Sequence, residues 1–223
     1  MKNILVLVDF TETADIAVKQ ALQFAQRDSA AITFCHIAQS KDDGSEALIK
    51  ELQPYGDQAQ SLGLDYNIMI GHGDLFDEVE AIVSKVGPDL IVVGTHGKHG
   101  IKQNLFGSAI HKLVRHIPAP SLVVNDHTRV IEGGYKKVMM PVAPHEDYLV
   151  KVEQTIDLMA PDGEIVIFAI LKPGVPLDEE ILRNIEATKK LLEERGVKYS
   201  YQEEDSDRYS IGYSKETLAH VRN

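Results

Sequence analysis

One cysteine in 223 residues excludes a disulfide framework within the chain. That residue, Cys35, sits in the apolar run Ile32-Thr-Phe-Cys-His-Ile37 and reads as a small buried side chain rather than a nucleophile or ligand. No apolar stretch approaches membrane-spanning length, and the opening run Ile4 to Val8 meets charge at Asp9 too soon for a signal peptide. A cytoplasmic protein with no membrane partner is expected. With a formal net charge of −11 and no block of Lys or Arg, the chain lacks what grips a phosphate backbone, so nucleic acid is not an expected partner. His96 and His99 have no cysteine or carboxylate cluster beside them, and a metal centre is not expected. Two nucleotide motifs are missing as well. There is no Gly-x-x-x-x-Gly-Lys-Ser/Thr, and Gly94-x-x-Gly97-x-x-Gly100 is not dinucleotide-fingerprint spacing.

What is present is a different glycine pattern. Behind the apolar run Leu90-Ile-Val-Val93 come Gly94-Thr-His-Gly97, nine residues, and Gly107-Ser108. Glycines between a strand and a helix let backbone N–H groups approach an anion that a side chain would hold away. Ser108 can cap a helix carrying Ile110, Leu113, Val114 and Ile117 at helical spacing, ended by Pro118. Phosphate there meets free N–H groups, the helix dipole and a hydroxyl. The same glycines also fit tight turns and close helix packing.

Along the first half, apolar runs at Asn3 to Val8, Ala31 to Ile37, Leu64 to Ile70, Leu90 to Val93 and Ser121 to Val124 predict strands. Helical periodicity falls between them, at Thr13 to Arg27, Ser45 to Leu62, Leu75 to Val86 and Ser108 to His116. This alternation predicts an α/β fold with an open parallel sheet and helices on both faces. The pattern then restarts. Lys137 to Val142 answers Asn3 to Val8, Glu164 to Ile170 answers Ala31 to Ile37, and Arg195-Gly-Val-Lys-Tyr199 answers Leu62-Gly-Leu-Asp-Tyr66. We expect a first domain over 1–125, a linker over 126–135 and a second, incomplete repeat of the fold over 136–223. Nothing in the second copy matches the glycine segment, and Ala143 falls opposite Asp9.

The glycine pattern, an opening strand ending in Asp9-Phe-Thr11 and a closing Ile117-Pro-Ala-Pro-Ser-Leu-Val-Val124 together resemble the universal stress protein family over Met1 to about Asn125. The resemblance implies a five-stranded parallel sheet of order 3-2-1-4-5 with ATP, with or without Mg²⁺, across the carboxyl ends of strands one and four. It implies that Asp9, with Thr11 beside it, and Ile37 contact the adenosine part, with Leu7 and Val93 flanking the adenine. Gly94, His96, Gly97, Gly107, Ser108 and Ala109 would surround the ribose and phosphates. Asp9 also fits a plain turn or helix cap. By analogy with the family, the apolar edge strand Ser121 to Val124 is expected to pair with a second copy, giving a homodimer. The expected function is that of an ATP-binding stress-response regulator whose occupancy controls conformation or assembly, with a further protein partner. Asp9 and His96 allow at most slow hydrolysis. The rival readings are an interaction scaffold that binds no nucleotide and a nucleotidyl- or phosphoryl-transfer enzyme. The transferase would need a signature such as His-x-Gly-His or Ser-Gly-Gly-x-Asp, and neither occurs.

Overall fold

Residues 1–40, 44–95, 112–115 and 117–205 are described by a computed structural model of the chain. The chain divides into two compact units, Met1–Glu132 and Gly133–Asn223. The first unit runs β1 (Asn3–Leu7), α1 (Glu12–Asp28), β2 (Ala31–Ala38), α2 (Ser45–Ser61), β3 (Tyr66–His72), α3 (Leu75–Val86), β4 (Leu90–Gly94) and β5 (Ser121–Val124). Residues 112–115 are helical. The strands form one sheet in the order β3-β2-β1-β4-β5, with every neighbouring pair parallel. This is the expected 3-2-1-4-5 arrangement.

The apolar runs explain why the sheet lies inside. Ile4, Leu5 and Val6 of β1 have no exposed surface, and all five residues of β4 are buried. Strands apolar on both faces require cover on both, which the crossover helices supply. Each crossover begins and ends at a local signal. Thr11 caps α1 by accepting from the Ala14 N–H, and Asp74 caps α3 by accepting from the N–H groups of Phe76 and Asp77. Gly87, at φ 58, closes α3 in the left-handed conformation that a Cβ disfavours.

β3 begins later than the apolar pattern predicts. The Leu64 N–H donates to Ala59 O at 3.0 Å, behind Gly63 at φ 73. Leu64 is therefore spent in closing α2, and pairing with β2 starts at Tyr66, opposite Ile32.

The second unit contains β6 (Tyr135–Pro141), α4 (Tyr148–Ile156), β7 (Met159–Leu171), α5 (Glu179–Glu194) and β8 (Lys198–Asp205). Its three strands form a parallel sheet in the order β6-β7-β8. Val152, Ile165, Ile167 and Leu192, none of them exposed, centre its core. One ladder step recurs in both units. The Val8 N–H donates to Cys35 O at 2.8 Å, and the Val142 N–H donates to Phe168 O at 2.9 Å. The step gives Ala143 the same place after its strand that Asp9 has after β1, as the sequence alignment expects.

A buried amide ties the end of the first unit to α1. Gln20 has no exposed surface; its Nε2 donates to Ile131 O at 3.2 Å, and its Oε1 accepts from the Ile131 N–H at 3.0 Å. The side chain thus acts as a piece of strand for an otherwise irregular segment. Gln20→Ala removes both bonds and leaves the Ile131 N–H and C=O without this partner. Urea denaturation is expected to show a loss of about 2 kcal/mol; a change below about 0.5 kcal/mol contradicts this role.

Candidate functional site

In the first sheet the chain builds outward from β1 to β3 and then returns to the other side of β1 to place β4. The crossovers therefore diverge between β1 and β4. A crevice opens beyond the carboxyl ends of strands at such a point, the usual ligand position in open α/β sheets. A cleft lies there. It holds roughly 430 Å³ of atom-free space, open mouth included, and is lined by Leu7, Asp9, Ile37, Val93 and Gly94 among others. The register explains why these residues meet: Leu7 pairs with Cys35 on one side and with Val93 on the other.

Asp9 is held by the turn that launches α1. Its Oδ1 accepts from the Thr11 N–H at 3.2 Å and from the Thr11 hydroxyl at 2.6 Å. Thr11 Oγ1 in turn accepts from the Ala14 N–H at 3.3 Å. Thr11 thus bonds to Asp9 and caps the helix rather than lining the cleft. Carboxylate, hydroxyl and helix start form one hydrogen-bonded unit, with the acid at the cleft wall.

Gly94 has a packing reason of its own. A Cβ placed there would lie 2.6 Å from both the carbonyl carbon and the oxygen of Thr13, and 3.0 Å from the Ala14 nitrogen. The first turn of α1 rests directly on the end of β4. Close packing alone therefore explains the first glycine of the spaced pattern. His96, Gly97, Gly107, Ser108 and Ala109 lie outside the described residues.

The cleft also has walls that were not expected at a ligand site: Val8, Cys35, His36, Leu75 and Leu113. His36 is the most informative of these. Its Nδ1 lies 2.7 Å from Val8 O, and its ring centroid is 4.7 Å from that of Phe10. In the sequence it was one member of an apolar run, and only strand alternation could have hinted that it differs from its neighbours. Nearby, the Tyr55 hydroxyl donates to Asp15 at 2.6 Å. Burial first, then the Asp15 bond, holds this phenol above its ordinary range.

The corresponding turn of the second unit has a different chemistry. Ala143 presents only its carbonyl, which accepts from Asn184 Nδ2 at 2.9 Å and from the His145 N–H at 3.0 Å. Among the described residues of the whole chain, no three His, Cys, Asp or Glu side chains are grouped to hold a metal ion. No helix among them is long and apolar enough to cross a membrane.

Cys35 is 1% exposed, and its thiol is pushed up to about 12 by burial and then by the Glu78 carboxylate. The reactive thiolate is therefore strongly disfavoured at ordinary pH. Ellman's reagent is expected to leave the folded protein unmodified and to titrate one thiol after denaturation; rapid labelling of the folded chain contradicts the burial.

Residues 1–125 match the universal stress protein family. The chain is 28% identical over 139 residues to a Staphylococcus haemolyticus protein assigned to that family, spanning 55% of this chain and 84% of the relative. Against the universal stress protein MJ0577 of Methanocaldococcus jannaschii, the identity is 24% over 152 residues, 55% of this chain and 94% of the relative. The solved structure of MJ0577 superposes with a TM-score of 0.51 at 25% identity, covering 57% of this chain and 98% of that one. A solved universal stress protein of Archaeoglobus fulgidus shares the fold across 99% of this chain and 81% of its own, with a TM-score of 0.75 at 14% identity. With more than half of its length matched and the sheet order and cleft in place, the chain belongs to the universal stress protein family.

Proposed function

We propose that the protein is an ATP-binding stress-response regulator, with the nucleotide held in the cleft of the first unit. The observation that carries this reading is the cleft at the carboxyl ends of β1 and β4. Among the described residues its walls are mainly apolar, with His36 and one acid, Asp9, and it opens where the glycine-spaced segment begins. Leu7, Val93 and Ile37 supply flat apolar surface for a purine, and Asp9 supplies a hydrogen-bond acceptor for the nucleoside. Thr11 serves through Asp9. Gly94, His96, Gly97, Gly107, Ser108 and Ala109 surround the ribose and phosphates, where backbone N–H groups meet the anion.

Asp9 is the only carboxylate among the described residues lining the cleft, and one of its oxygens already accepts two bonds. One such group suits Mg²⁺ carried on the triphosphate better than an ion caged by the protein. Hydrolysis, if present, is slow, because attack on the terminal phosphate needs a positioned base and water together. The second unit, with Ala143 and Asn184 in place of an acid, serves as a structural or regulatory repeat. It also favours an interaction role for that half of the chain, towards a protein partner.

ATP with Mg²⁺ titrated calorimetrically into the protein, freed of any nucleotide carried through purification, is expected to bind saturably. A Gly107→Val variant is expected to lose binding at least tenfold, since a branched side chain displaces the anion. Absence of binding to the emptied wild type overturns the ATP reading and leaves the interaction scaffold.

β5 forms one edge of the first sheet, and its Val123 is 40% exposed. Pairing of this edge with a second copy would extend the sheet and cover that side chain. Light scattering at tens of micromolar protein is expected to give twice the chain mass, and Val123→Lys to give the single-chain mass. A wild-type monomer contradicts the homodimer.

A further inference from the structure

We propose that His36 and Phe10 are positioning residues that hold the Asp9 carboxylate toward the cleft, an inference that rests on the nucleotide reading above. Two non-glycine residues have positive φ among the described ones. Ser29, at φ 51, is a helix C-cap, where the left-handed conformation ends helices routinely. Phe10, at φ 60, has no such role. An aromatic residue keeps this conformation only where its surroundings hold it.

His36 supplies the hold. Its ring stands 4.7 Å from the Phe10 ring, centroid to centroid, at an inclination of 40°. The imidazole is itself fixed by the 2.7 Å contact between Nδ1 and Val8 O. A carbonyl only accepts, so Nδ1 carries the proton and donates. One side chain from β2 therefore grips both neighbours of Asp9, Val8 through its carbonyl and Phe10 through its ring. Thr11 then fixes the carboxylate itself through Oδ1. Strain at Phe10 and order at Asp9 belong to a single arrangement.

The second unit provides an internal comparison. By the shared ladder step, Ala143 stands for Asp9, Pro144 for Phe10 and Ala169 for His36. Proline cannot adopt positive φ, and alanine offers neither a ring nor a donor. Where there is no acid to hold, the holding pair is absent too.

The test is a double-variant cycle: ATP with Mg²⁺, and separately adenosine, titrated into wild type, His36→Ala, Asp9→Ala and the combined variant, with thermal unfolding confirming that each is folded. His36→Ala is expected to weaken both ligands about tenfold. In the Asp9→Ala background the same change is expected to cost less than about twofold, because His36 acts through the missing acid. Independent, additive losses overturn the proposal, as does wild-type affinity in His36→Ala. A wild type that binds neither ligand overturns the site reading instead. Amide exchange at Thr11 in the ligand-free protein then decides the positioning role alone. A rise of at least about fivefold in His36→Ala sustains it, and an unchanged rate overturns it.

Discussion

The contact on which the first unit depends is the seating of α1 on the end of β4. With Gly94 presenting no Cβ, the backbone of Thr13 and Ala14 comes closer than any side chain would allow. This fixes the start of α1 against the strand that flanks β1 on one side, while β2 flanks it on the other. The turn between β1 and α1 is consequently short and tightly bonded. Asp9, Thr11 and the helix cap share one hydrogen-bonded chain, and the acid has little freedom to face anywhere but the cleft. Packing sets the site's geometry, and the chemistry follows from which residues the turn contains.

The two units show how much a turn can change while the fold persists. Both have parallel strands in the same relative order, with the same hydrogen-bonded step leaving the first strand. In the first unit that step leads to a carboxylate and an apolar cleft. In the second it leads to Ala143, whose carbonyl is tied to Asn184. The scaffold carries the strands in both cases, and a few turn residues decide whether an acid reaches the cavity.

Much of this architecture was readable from the chain. Runs such as Leu90 to Val93 and Ile4 to Val6 lie buried in strands as their composition implied, and the sheet order followed from the family resemblance; β1 itself ends at Leu7, one residue before the expected Val8. Leu7, Asp9, Ile37, Val93 and Gly94, far apart in sequence, line one cleft. The features that escaped had physical reasons to do so. Leu64 looks like strand but has its amide engaged in closing a helix. Phe10 adopts a left-handed conformation with neither glycine nor asparagine to announce it. His36 matters through a carbonyl and a ring that only the folded chain brings near, and Gln20 meets Ile131 across 111 positions of sequence. Local pattern reports burial and turns; it does not report which distant backbone group a polar side chain will find.

Nucleotide binding in the cleft of the first unit is tested most directly by a two-dimensional amide NMR titration of the emptied protein with ATP and Mg²⁺. Saturable shifts are expected at the carboxyl ends of β1, β2 and β4, at Val8, Asp9, Ile37, Val93 and Gly94, with the Ala143 turn unmoved. Shifts centred on the second unit, or a titration that moves no amide around the cleft, would contradict binding there.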